Sequence, residues 1–109
     1  HAPYNAQVSY TPVDSGLPFA TDVEQDGAQI TLSAMAQAWG ISPVQTGMGG
    51  SIPFIADLKE NFPDAQILVT GVEDPDTRAH SANESLYVPD FKRGILAEAL
   101  ILSALSRSK

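Results

Sequence analysis

Two short polar segments carry residues whose types and spacing could do chemistry. In the first, Gly49, Gly50 and Ser51 form a turn before a helix, which offers backbone N–H groups to a carboxylate or phosphate. In the second, Asp74 and Asp76 are assigned to a turn, and the polar loop that follows it carries His80, whose imidazole can bind zinc. The sequence thus indicates an anion site and a metal site. A tight structural turn and an exposed loop histidine are the alternatives.

The order and separation of these segments resemble a known family. Gly-Gly-Ser-Ile-Pro at residues 49–53 and His-Ser-Ala-Asn-Glu at residues 80–84 are similar to motifs of the co-catalytic di-zinc exopeptidases. That family includes dipeptidases, carnosinases, glutamate carboxypeptidase, succinyl-diaminopimelate desuccinylase and aminoacylase. The resemblance implies that residues 1–22 are the end of a lid domain and a connector. Residues 23–109 would then form the C-terminal segment of the catalytic domain.

The resemblance also implies a role for each motif residue. His80 matches the family's final zinc ligand, and Asn83 and Glu84 would support its imidazole by hydrogen bonding. The glycine turn would hold the substrate's terminal carboxylate through Gly49, Gly50 and Ser51. The remaining ligands and the catalytic general base are expected upstream, so no catalytic residue is assigned and the chain alone is expected to be inactive. The complete enzyme would carry two zinc ions, or manganese, and cleave a small peptide or an acylated amino acid.

One position departs from the family pattern. Many of its dipeptidases have an arginine two residues before the glycine pair, where this chain has Gly47. We therefore expect backbone amides rather than an arginine to hold the carboxylate. A dinucleotide-binding turn is a weaker interpretation, because the full G-x-G-x-x-G spacing is missing and Pro53 replaces its last glycine.

Composition excludes several classes of function. The net charge of −7 and the pI near 4.4 argue against nucleic acid or an anionic membrane surface as a partner. With no cysteine, a metal site must use His, Asp or Glu. No segment approaches the ~20 apolar residues of a membrane span, and no signal pattern begins the sequence. A soluble, cytoplasmic protein is expected.

Periodicity predicts three helices and two or three strands. Helices are expected from Gly27 to a Gly40 cap, from a Ser51 N-cap to about Asn61, and over about residues 89–106. Residues 6–10 read as a half-buried strand, residues 66–70 as a buried strand and residues 42–45 as a short one. The last helix is expected to bury one apolar stripe, made of Phe91, Ile95, Ala99, Leu102 and Leu105.

These elements predict an α/β fold, and the resemblance implies that it is a partial three-layer sandwich. So few strands leave sheet edges unpaired, and we therefore expect a fragment whose partners are the remainder of the catalytic domain and, in a homodimer, a second copy. An alternative of a different class stays open. It is a non-catalytic acidic α/β domain that binds a small carboxylate or a protein partner through the glycine turn, with no metal on His80.

Overall fold

Three α-helices dominate the chain. The computed structural model describes residues 3–12, 18–47 and 52–107, with α1 at Asp26–Trp39, α2 at Pro53–Asn61 and α3 at Val88–Arg107. A 3-10 turn at Pro3–Asn5 precedes them. The three predicted helices are confirmed, with ends within one or two residues of those expected. None of them is both long and apolar enough to span a membrane.

Local chemistry sets the helix ends. Gly40 ends α1 with a φ of 74°, and its N–H donates to the Ala36 carbonyl at 2.9 Å. At the other end of α1 the Gln25 side chain makes no capping bond, and the Gly27 N–H instead donates to Gln66 Oε1 at 2.8 Å. Pro53 opens α2, where its missing N–H costs little. The predicted cap of α2, Ser51, lies outside the described residues.

The predicted α/β class is wrong. The described residues contain no strand, so they form neither a sheet nor a sandwich. Residues 6–10 and 42–45 are almost entirely exposed, and residues 66–70 have no ladder partner. The apolar, branched residues of 66–70 have the composition of a strand. A strand, however, also needs a neighbour for its N–H and C=O groups, and the described part of the chain provides none.

The core lies between α1 and α3. Its buried residues are small or short, and among them Ala28 and Ala34 come from α1 and Ala97 and Ile101 from α3. Thr31 is also buried and donates its hydroxyl to the Gly27 carbonyl at 2.9 Å. Small side chains let the two helix backbones approach closely. They also bury little apolar area, so the hydrophobic contribution per contact is small.

The predicted buried stripe of α3 is also wrong. Phe91, Ile95, Ala99 and Leu102 face solvent, whereas Ala97 and Ile101 are buried. Both sets recur at helical spacing, so α3 carries two apolar stripes. α1 packs against the stripe that contains Ala97 and Ile101.

Residues 66–72 have no regular secondary structure and are joined by hydrogen bonds to both α1 and α3. Gln66 bonds to the start of α1, and the Thr21 hydroxyl donates to the Ile67 carbonyl at 3.3 Å. Further on, the Thr70 hydroxyl bonds to Glu98 Oε1 of α3 at 3.0 Å. The molecule is nonetheless open: its radius of gyration is 18.2 Å, against about 13 Å for a compact domain of this length.

Candidate functional site

A closed loop between residues 74 and 85 presents the predicted metal ligand. Its entry is a turn in which the Thr77 N–H donates to the Asp74 carbonyl at 3.1 Å, while the Asp74 N–H donates to Thr77 Oγ1 at 2.8 Å. The Asp74 carboxylate also accepts the Asp76 N–H at 2.8 Å. The Ser85 N–H then donates to the Thr77 carbonyl at 3.0 Å and closes the loop. The prediction that Asp74 and Asp76 serve a turn is confirmed.

His80 lies on the tip of this loop and is exposed. Within the described residues no hydrogen bond engages its imidazole, and none joins it to Asn83 or Glu84, which are exposed on the same loop. The proposed support of His80 by these two side chains therefore stays a prediction. The imidazole is accessible to a metal ion held mainly by other groups.

The loop backbone is unusual around His80. His80, Asn83 and Arg78 all have positive φ values, of 61°, 61° and 55°. Histidine and asparagine enter this left-handed region more readily than most residues, whereas a long side chain such as that of arginine does so at a cost. The Ser81 N–H donates to the Arg78 carbonyl at 3.1 Å and holds this conformation. The backbone of the loop thus sets the direction in which the His80 side chain leaves it.

The predicted anion site is only partly described. Gly49, Gly50 and Ser51 lie outside the described residues. The start of α2 just after them is described. Ile52 caps it in an extended conformation without a side-chain bond, and no acidic residue lies in its first turn. The positive end of this helix is therefore not neutralised by its own side chains.

The described residues include two concave surfaces. A groove of about 110 Å³ between α1, α3 and residues 70–72 is lined mainly by apolar side chains, which include Met35 and Trp39. A shallow acidic hollow beside the loop is lined by Asp74, Asp76 and Asp90 among others. The hollow's carboxylates are already engaged in part, since Asp74 accepts an N–H and Asp90 pairs with Arg93 at 2.7 Å.

The described residues do not form a complete metal site. Across residues 3–12, 18–47 and 52–107 no three His, Asp or Glu side chains cluster closely enough to hold an ion. His80 fits the role of one ligand, because it is exposed and its imidazole makes no hydrogen bond. A protein-bound zinc ion needs at least two further ligands.

Sequence reasoning missed the importance of Thr77. It is buried, with 5% of its surface exposed, and its backbone and hydroxyl together make three of the hydrogen bonds that close the loop or its entry turn. The signal was present, because Asp-Pro-x-Thr is a turn in which the fourth residue can bond back to the first.

Comparison with known proteins finds a curated protein that is similar to this chain. No protein-family model matches the chain, and no solved structure matches it. The chain is 32% identical over 102 residues to the cysteinylglycine-S-conjugate dipeptidase of Corynebacterium striatum, a match that covers 93% of this chain and 22% of that protein. It therefore spans about a fifth of the length of the curated relative it matches. Nearly the whole chain is thus similar to one part of a dipeptidase.

Proposed function

We propose that this chain is the C-terminal part of a metal-dependent dipeptidase-like hydrolase and contributes His80 as one metal ligand. The observation that carries the proposal is the 32% identity to a dipeptidase along nearly the whole chain. The exposed, unbonded imidazole on a closed loop supports it. The metals, two zinc ions or manganese, would activate water and polarise the scissile carbonyl.

This chain's own residues would bind a metal ion and orient the imidazole that holds it. His80 offers a nitrogen lone pair, and the hydrogen bonds of the loop base limit the positions that its imidazole can take. Asn83 and Glu84 are near enough along the chain to accept the second ring N–H when the site is complete. No general base is assigned to this chain, so hydrolysis would need residues outside it.

Residues 49–51 and the start of α2 would receive the free carboxylate of the substrate. Pro53 has no N–H, so the N–H groups on either side of it would carry the contact. An exposed helix terminus contributes about 0.3–1 kcal/mol to anion binding, and hydrogen bonds to a charged group contribute roughly 1.5–3 kcal/mol. The substrate would be a dipeptide or an N-acylated amino acid, and an S-conjugate of cysteinylglycine is the first to test.

The decisive experiment replaces His80 in the complete enzyme. Asparagine is the best substitution, because it tolerates the left-handed backbone of this position but removes the imidazole. We expect His80→Asn to lower metal content and to reduce turnover by orders of magnitude, with Ala82→Ser at an exposed position of the same loop as the matched control. Asn83→Ala should cost about 10–100-fold. Full metal content and turnover in His80→Asn would refute the ligand assignment.

A second experiment tests the carboxylate site separately. Amidation of the substrate's C-terminus should lower kcat/KM by about two orders of magnitude, because it removes the charge that the turn would recognise. Gly50→Val should cause a comparable loss. Equal rates for free and amidated dipeptides would make the turn purely structural.

A further inference from the structure

Arg78 combines an exposed positive charge with a backbone conformation that its side chain does not favour. Its φ of 55° lies in the left-handed region, which a long side chain enters at a cost. The N–H and the hydroxyl of Ser81 both donate to the Arg78 carbonyl, at 3.1 Å and 2.6 Å, and hold it there. Strain that surrounding hydrogen bonds maintain is concentrated at ligand-binding sites, so this side chain is a candidate for binding.

The guanidinium of Arg78 is available to a ligand. Among the residues that the structure describes it makes neither a hydrogen bond nor an ion pair. Asp74 and Asp76 belong to the same loop, yet the Asp74 carboxylate accepts the Asp76 N–H instead. A guanidinium binds a carboxylate or phosphate through two parallel hydrogen bonds and keeps its charge. Arg78 can therefore bind an anion from outside this part of the chain.

The charge of Arg78 is isolated along a long acidic part of the sequence. No other lysine or arginine occurs between Lys59 and Lys92. A dipeptide carries a free carboxylate, which a chain with a net charge of −7 repels unless a local positive charge offsets it. The glycine turn and the start of α2, residues 47–56, contain no lysine or arginine. Arg78 supplies a positive charge on the loop that carries His80.

Arg78 is also close enough to His80 to reach a substrate held at the metal. The two residues are two positions apart, so their Cα atoms lie within about 7 Å of each other. In a dipeptide the free carboxylate is one residue, or about 4 Å of chain, beyond the scissile carbonyl. We propose that the Arg78 guanidinium binds the C-terminal carboxylate of the substrate and so determines specificity, together with the backbone amides of residues 49–51. This inference rests on the proposed function, because it needs His80 to hold the metal of a dipeptidase.

The test measures kcat/KM of the complete enzyme with S-benzyl-cysteinylglycine and with its C-terminal amide. Arg78→Asn removes the guanidinium, and asparagine tolerates the left-handed backbone of this position. We expect kcat/KM for the free acid to fall by ~10- to 100-fold, the loss of a hydrogen bond to a charged group, and that for the amide to change by less than about twofold. Metal content should stay unchanged. Arg78→Lys should recover part of the loss, because it keeps the charge but not the planar fork.

Lys92→Gln is the matched control, because it removes one positive charge from an exposed position of α3. It should leave both rates unchanged. Equal losses for the acid and the amide in Arg78→Asn would show that Arg78 pairs with a group of the enzyme, which overturns this inference but leaves the proposed function standing. A loss of metal in Arg78→Asn would assign the residue to support of the His80 loop and overturn the inference as well. An unaltered complete enzyme that hydrolyses neither substrate would refute the proposed function and, with it, this inference.

Discussion

At the scale of single residues, the candidate site depends on side chains that would not themselves touch a metal. His80 owes its exposed position to a loop whose two ends are joined by Asp74, Thr77 and Ser85. The sequence predicted the turn, because Asp-Pro-Asp is characteristic of one, and it predicted His80 in the loop after it. The roles of His80 and the glycine turn came from the family resemblance. One histidine among turn residues does not by itself distinguish a ligand from a solvated side chain.

Thr77→Val tests whether the loop base depends on this hydroxyl. Valine keeps the shape of the buried side chain but leaves the Asp74 N–H without its acceptor at 2.8 Å. We expect the loop to lose about 1 kcal/mol of local stability, or roughly fivefold in the hydrogen-exchange rate of the Asp74 amide.

The matched control is Thr46→Val. Thr46 is exposed, and its hydroxyl bonds only to the carbonyl of the next residue at 3.3 Å. This change should leave Asp74 exchange unaltered. If Thr77→Val also leaves it unaltered, backbone bonds alone hold the loop closed.

At the scale of elements, helices could be predicted and strands could not. A helix satisfies its own backbone, so local signals such as Gly40 and Pro53 are enough to place it. Residues 66–70 look like a strand, but pairing depends on a neighbour that their own sequence does not encode. The choice of face on α3 failed for a related reason. Both stripes have helical spacing, and the close approach allowed by Ala97 and by Ala28 of α1 decides between them.

The end of α1 offers a sharp test of this local control. Gly40 has a φ of 74° and no atom within 4 Å of where a Cβ would be, so Gly40→Ala adds backbone strain without a steric clash. We expect a loss of about 1 kcal/mol in the free energy of unfolding, measured by urea denaturation.

Gly71→Ala is the matched control for the same substitution. Gly71 also has no atom within 4 Å of a Cβ, and it lacks the positive φ. Alanine should be neutral or stabilising there by about 0.4–1 kcal/mol, because it restricts the unfolded chain. Equal effects at both glycines would show that the left-handed cap of α1 is not a source of stability.

At the scale of the whole molecule, the described residues hold one candidate metal ligand and a small core. One exposed histidine, without two further ligands among the described residues, predicts weak metal binding. We expect the isolated 109-residue chain to lose zinc on dialysis and to show no dipeptide hydrolysis above background. The controls are metal analysis and an S-conjugated cysteinylglycine assay with His80→Asn, which should match the unaltered chain. Tightly held, stoichiometric zinc that disappears in this variant would show a complete site within the chain.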